Sequence, residues 1–286
     1  MPELPEVQTV VNHLARKIQG KVFLNSVVKV PKMVSFKFKE QIKQKKVLKV
    51  FRRAKLIVME LTDHKYLLVH LKMTGQLIFV DLLGQATGGG HPINSQGFNL
   101  TKPNKYTHII LTFTDQSQLL FHDVRKFGWL KVVDSHELEK IFLKHGLEPL
   151  SKEFTIKKFK EILVKKPNVK IKQFLLNPEL IAGIGNIYAD ESLFKAKISP
   201  LRTVKTLRES EIKRLHQAII CKLKEAIKHG GTSVNTFVSS SGKRGKFADK
   251  LKVYGRKGQK CFKCGSILQK IKVGGRGTVY CRQCQK

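Results

Sequence analysis

The residues best suited to chemistry stand at the very start: Met1-Pro2-Glu3-Leu4-Pro5-Glu6. Removal of an initiator Met ahead of the small Pro2 would leave a free secondary amine. An α-amino group titrates at about 7.7–8.0, so part of it is nucleophilic at neutral pH. Attack of such an amine on a sugar aldehyde carbon gives a charged iminium, which then draws electrons from the neighbouring bonds. Glu3, one residue on, could give or take the proton. A helix start competes for the same residues, because Pro suits a first helical turn and carboxylates favour its positive end.

A second set of reactive side chains closes the chain. Cys261-x-x-Cys264 and Cys281-x-x-Cys284 are sixteen residues apart, the spacing of a zinc ribbon with four thiolates around one structural ion. Between the pairs, Ile267–Val273 reads as a strand, Gly274-Gly275-Arg276-Gly277 as a turn and Thr278–Tyr280 as the return strand. Arg276 is thereby expected at the hairpin tip. No open ligand position is apparent, so the metal is read as a staple rather than a catalyst. Cys221 falls within a helical pattern and reads as a lone buried or partly buried thiol.

The elements that must position these groups follow from periodicity. Val7, Val10, Val11, Leu14 and Ile18 recur at helical spacing up to Gly20, so a helix anchors the amino end. Strand-like runs follow at Lys21–Val30, Val47–Phe51, Leu56–Leu61, Tyr66–Leu71, Gln76–Val80, His108–Phe113, Gln118–Phe121 and Trp129–Val133. Short strands with turns between them predict an antiparallel sandwich. From Asp81 to Tyr106 the pattern breaks into a long loop rich in Gly. Residues 135–150 read as a connector. Helical patterns then occupy Ile156–Val164, Lys170–Leu176, a stretch after Asn186, and Leu207–His229 before Gly230-Gly231. The fold class is α+β and multidomain: residues 1–133 a β-sandwich with an N-terminal helix, 134–150 a connector, 151–248 a helical domain and 249–286 a zinc finger.

The chain carries 55 Lys and Arg against 21 Asp and Glu, a formal net charge of +34 over 286 residues. Such an excess calls for a polyanionic partner, nucleic acid first. No apolar run is long enough to span a bilayer and no signal-peptide pattern opens the sequence, so a cytoplasmic protein is expected. Several clusters fit a nucleic-acid surface, although each taken alone also fits an ordinary turn. Gly183-Ile184-Gly185-Asn186 places tight turns ahead of a helix whose N–H groups would attract a phosphate. Arg52-Arg53-Ala54-Lys55 lies between two strands. His70-Leu71-Lys72-Met73-Thr74-Gly75 and Asp123-Val124-Arg125-Lys126-Phe127-Gly128 put apolar and basic residues on turns, the makings of a wedge that unstacks a duplex. Ser239–Phe247 reads as a polar loop, either a linker or a cover for an extruded base.

Together these residues resemble the bacterial formamidopyrimidine-DNA glycosylase family, also called 8-oxoguanine DNA glycosylase, in family order from Met1-Pro2-Glu3-Leu4-Pro5-Glu6 to the four cysteines. The resemblance implies a bifunctional glycosylase and AP lyase of base excision repair, acting on oxidised purines in double-stranded DNA as a monomer associated with the nucleoid. It implies a helix–two-turn–helix motif in the central domain, one structural zinc and no organic cofactor. It assigns Pro2 as the Schiff-base nucleophile, Glu3 as proton donor, Lys55 as the aid to β-elimination and Arg276 as the phosphate ligand tied to δ-elimination. Met73, Arg125 and Phe127 become the wedge, and Lys170 and Asn186 join the DNA-binding set. Tyr106 stands where some relatives have a DNA-contacting His. Lys72 replaces the Arg or Gly often found before the Met, and the Asp81–Tyr106 stretch departs from common members. Two other readings differ by experiment: an endonuclease VIII-like glycosylase for oxidised pyrimidines, and a zinc-ribbon nucleic-acid binder without catalysis.

Overall fold

The computed structural model describes residues 1–90, 102–232, 238–239 and 247–286. Two compact units emerge, the first of Met1–Leu143 with the described residues of His229–Lys246, the second of Lys144–Lys228 with Phe247–Lys286.

The first unit opens with helix α1, Leu4–Ile18, whose apolar stripe is buried from Leu4 to Ile18 as the periodicity requires. Its strands are β1 (Phe23–Val28), β2 (Val47–Arg53), β3 (Leu56–Leu61), β4 (Lys65–His70), β5 (Gly75–Val80), β6 (Ala86–Gly90), β7 (Thr107–Phe113), β8 (Gln118–Asp123), β9 (Trp129–Asp134) and the backbone pair β10 (Val238–Ser239). A short helix α2, Phe38–Ile42, lies between β1 and β2. The strands form two antiparallel sheets, in the orders β1-β7-β8-β5-β6-β10 and β2-β3-β4-β9. One core joins them, with Phe23, Leu77, Phe79, Phe113 and Phe121 from the first sheet and Val47, Ile57, Met59, Val69 and Leu130 from the second. The expected sandwich is present.

Two expectations are corrected here. The Asp81–Tyr106 stretch is not all loop: β6 pairs with β5 from Val80↔Ala86 to Gln76↔Gly90. Asp81 turns the chain by accepting the N–H groups of Leu83 at 3.0 Å and Gln85 at 2.8 Å. The glycines that argued against a strand are what fit it. A Cβ at Gly88 would lie 2.1 Å from the Leu77 carbonyl oxygen, and φ there is +137°. Residues 91–101 of that loop lie outside the described residues. The connector likewise begins as helix α3, Ser135–Leu143, entered through Asp134, whose Oδ1 accepts the Glu137 N–H at 2.9 Å. Leu138, Ile141 and Phe142 of α3 cover the outer face of the second sheet at Leu56, Val58, Leu68 and Val133.

The second unit contains α4 (Ile156–Val164), α5 (Ile171–Leu176), α6 (Asn186–Ala196) and α7 (Glu209–Lys228), then the hairpin β11 (Gln269–Val273) and β12 (Arg276–Tyr280). Helix α6 packs along α7 and also meets β12. No helix among the described residues is long and apolar enough to cross a membrane.

Candidate active site

In the first unit the amino end is tied down rather than frayed. Pro2, Glu3 and Glu6 are buried, while Met1 is exposed. Glu3 caps α1, and a capping box joins it to Glu6: each side chain faces the other's backbone, with Glu3 N–H donating to Glu6 Oε2 at 2.9 Å. The other Glu6 oxygen, Oε1, accepts the Thr232 N–H at 2.8 Å and the Thr232 hydroxyl at 2.9 Å. Gly231 makes room for this contact, since a Cβ there would lie 3.0 Å from Oε1. Glu6 thus binds the start of α1 to a residue 226 positions away, a role the sequence reading missed. Burial holds the Met1 amine below its usual range; Glu3 and Glu6 oppose this, and Lys55 adds to it.

Lys55 sits in the two-residue turn of the β2–β3 hairpin, closed by the Arg53↔Leu56 pair with Ala54 at φ +53°. Arg52 braces the turn, donating from Nη1 to the Ala54 carbonyl at 2.7 Å and from Nε to Gln8 Oε1 of α1 at 3.0 Å. The helix that presents Pro2 and the turn that presents Lys55 are therefore bonded to each other. The sequence offers Arg52 only as one member of the basic Arg52-Arg53-Ala54-Lys55 cluster, not as a brace, and it offers no signal for Gln8, because a polar residue on a helix carries nothing to distinguish it.

Met73, Arg125 and Phe127 lie on two turns of the same unit and are all exposed, Met73 by 41% and Phe127 by 52%. The Arg125 guanidinium lies 4.6 Å from the Phe127 ring centroid, a cation–π contact that stiffens the tip. Tyr106 is half-buried just before β7, its N–H bonded to Asn104 Oδ1 at 2.9 Å.

The second unit holds the remaining groups. Asn186 is the first residue of α6 rather than the residue before it, with Gly185 as N-cap. Its Nδ2 donates to the Gly277 carbonyl at 2.9 Å. Arg276 is exposed and is the first residue of β12, paired with Val273 across a Gly274-Gly275 turn; the sequence reading had placed it within the turn. Both glycines have positive φ, as a tight hairpin of this hand requires. Lys172 and Asp190, fully buried at 0% and 1%, form an ion pair at 2.6 Å. Lys172 Nζ also donates to Thr278 Oγ1 at 2.6 Å and the Gly277 carbonyl at 3.2 Å, and Asp190 Oδ2 accepts the Val279 N–H at 3.1 Å. Three consecutive residues after Arg276 are thus clamped to α5 and α6. Lys170 is exposed at the N-cap of α5. Of Ser239–Phe247, Phe247 is buried with its ring 6.0 Å from Tyr188, and residues 240–246 lie outside the described residues.

The four cysteine sulfurs of the hairpin lie within 4.8 Å of one another, Cys264 and Cys281 at 3.5 Å and Cys261 and Cys284 at 4.0 Å. A tetrahedral zinc with bonds of about 2.3 Å needs sulfur separations of about 3.8 Å, so the donor set fits one structural zinc ion. Burial and the neighbouring thiols push Cys284 up to about 12, so a bound cation is what would strip its proton. Glu191, buried on α6, anchors the chain entering this module: its Oε1 accepts the N–H groups of Lys252, Val253 and Tyr254 at 2.9–3.0 Å. Cys221, expected to be buried or partly buried, is instead exposed on α7 and is not among the four clustered cysteines.

Three family models match in chain order: the formamidopyrimidine-DNA glycosylase N-terminal domain over residues 1–130, the family's H2TH domain over 145–238, and the zinc finger found in FPG and IleRS over 258–286. A β-sandwich with a buried amino end, a helical unit and a four-thiolate hairpin define the class of zinc-finger DNA glycosylases. Formamidopyrimidine-DNA glycosylases of Pelotomaculum thermopropionicum and Listeria innocua are each 40% identical to this chain, covering all of it and at least 99% of their own length. A Lactococcus lactis Fpg in complex with abasic-site DNA superposes with a TM-score of 0.86 at 37% identity, over 99% of both chains. An Lactococcus lactis FPG mutant bound to Fapy-dG-containing DNA gives 0.86 at 38% over the whole of both. The chain belongs to the formamidopyrimidine-DNA glycosylase family.

Proposed function

We infer that this enzyme excises oxidised purines from double-stranded DNA and then cleaves the strand at the abasic sugar. The observation that carries the reading is the amino end, where Pro2 is buried at the head of a helix pinned by Glu3 and Glu6. The full-length likeness to proteins solved on abasic and Fapy-dG DNA supports the same substrate.

After Met1 is removed, the Pro2 nitrogen attacks C1′ of the damaged nucleotide. The glycosidic bond breaks, the base leaves with a proton, and Glu3 protonates the ring oxygen as the sugar opens to the iminium. The iminium acidifies the C2′ proton. Loss of that proton expels the 3′-phosphate, and a second elimination expels the 5′-phosphate before water releases the sugar fragment from Pro2. Lys55 assists the first elimination. Its positive charge near the amino end favours the neutral form of the Pro2 amine. Arg276 and Asn186 bind backbone phosphate, with Lys170 and Tyr106 adding contacts. Met73, Arg125 and Phe127 fill the gap left by the extruded nucleotide, whose unstacking costs a few kcal/mol. Zinc holds the hairpin and takes no part in bond making.

In this reading residues 1–133 are the catalytic domain, 151–248 the helix–two-turn–helix DNA-binding domain with its recognition loop, and 249–286 the zinc finger, acting as a monomer at the nucleoid in the cytoplasm. Cleavage of duplexes carrying 8-oxoguanine or thymine glycol tests the lesion class. Faster cleavage at 8-oxoguanine is expected, and a preference for thymine glycol would assign the chain to oxidised pyrimidines instead.

A further inference from the structure

Resting on the proposed function, we propose that buried Asp123 is a positioning residue that locks the two wedge turns into one rigid insert. Asp123 is the last residue of β8 and touches no solvent. Its carboxylate reaches two separate turns. Oδ1 accepts the Thr74 hydroxyl, on the turn that carries Met73, and the Arg125 N–H at 3.1 Å. Oδ2 accepts the Gly128 N–H at 2.6 Å, on the far side of the turn that carries Arg125 and Phe127. The triangle closes through the Arg125 N–H, which also reaches Thr74 Oγ1 at 3.1 Å.

The backbone of Asp123 is fixed as firmly as its side chain. Its N–H donates to the Tyr106 carbonyl at 2.9 Å, and its own carbonyl is bonded to His108 Nε2 at 2.7 Å. Both turns also hold a lysine in the left-handed region, Lys72 at φ +50° and Lys126 at +55°, a conformation that persists only when its surroundings over-determine it. Gly128 is required for the approach, since a Cβ there would lie 2.5 Å from Phe121 Cζ and 3.0 Å from Asp123 Oδ2. An exposed wedge that enters a base stack must hold its shape against the duplex. Here one acceptor-only group gathers the donors of both turns, and no neutral side chain of the same shape can do so. An amide in either orientation points its NH2 at a backbone N–H.

The test uses the full-length zinc-loaded protein and a duplex with a tetrahydrofuran abasic analogue opposite 2-aminopurine, whose fluorescence rises when the wedge unstacks it. Asp123→Asn is expected to weaken binding to this duplex about tenfold to a hundredfold, the range for losing a hydrogen bond to a charged group, and to abolish the rise. Thr74→Val severs only the link to the Met73 turn and is expected to weaken binding about tenfold with a reduced rise. If Asp123→Asn fails to fold, Thr74→Val decides. Borohydride trapping on a single-stranded abasic oligonucleotide, which needs no wedge, stays at the parent level for both variants. A folded variant with parent affinity and fluorescence overturns the proposal. Failure of the parent protein to trap on any substrate overturns the functional reading instead.

Discussion

Lys172→Met tests how the strand bearing Arg276 is held. The Lys172–Asp190 pair is buried at both ends, 2.6 Å apart, and Lys172 also holds Thr278 and Gly277. Removing one partner of such a pair costs about 3–5 kcal/mol, because the other charge is left buried and unpaired. Asp190 can relieve part of this by taking a proton, since burial already pushes it up to about 6 with Lys172 present. The net loss is expected near the lower bound, about 3 kcal/mol, or a melting shift of about 6–12 °C. Adding Asp190→Asn to Lys172→Met removes the stranded charge and keeps an acceptor for the Val279 N–H. At pH 7.5 the double variant is therefore expected to be more stable than Lys172→Met alone, by about 1–2 kcal/mol. Near pH 5 the two converge as Asp190 protonates. Thermal and urea unfolding of the three proteins at both pH values supply the comparison. A Lys172→Met protein within about 0.5 kcal/mol of the parent, a value typical of surface changes, would refute the reasoning.

Asp190 also gives a pH signature in the parent protein. Its folded value, raised to about 6 chiefly by burial, exceeds that of an unfolded carboxylate, so the fold binds this proton more tightly. Its contribution to stability grows as pH falls from about 7 through 6 toward 4, and Asp190→Asn removes that slope in unfolding curves. Chelation of zinc leaves four close thiols without their cation, so stripped protein is expected to lose hairpin structure and DNA binding and to regain both on adding zinc; full binding after verified metal loss would contradict this. With a formal charge of +34, binding to duplex DNA is expected to weaken steeply with salt, giving a straight negative slope of log affinity against log salt concentration; a flat line would exclude phosphate contacts as the main attraction.

The parts of the fold legible in the sequence were those with a period or a spacing. Helix α1 announced itself through Val7, Val10, Val11, Leu14 and Ile18, and the zinc module through two Cys-x-x-Cys pairs. Strand β6 was hidden because its Ala-Thr-Gly-Gly-Gly sequence lacks β-branched bulk, and its glycines serve a close approach to β5 that only the fold reveals. Helix α3 had a readable signal, Asp134 three residues before Glu137, which was passed over. The supports of the site were the least legible. Glu6, Asp123, Lys172 and Glu191 are buried charges, each with at least one partner far along the chain, 226 residues away for Glu6 and 49 for Asp123, and no local pattern separates them from surface residues.

The central claim is covalent chemistry at Pro2. The direct measurement is intact mass of the protein incubated with a duplex carrying 8-oxoguanine opposite cytosine and reduced with borohydride, followed by peptide mapping. The account predicts protein without Met1 and a DNA adduct on Pro2. Base release with no adduct, or an adduct on Lys55 while Pro2 stays unmodified, would contradict it.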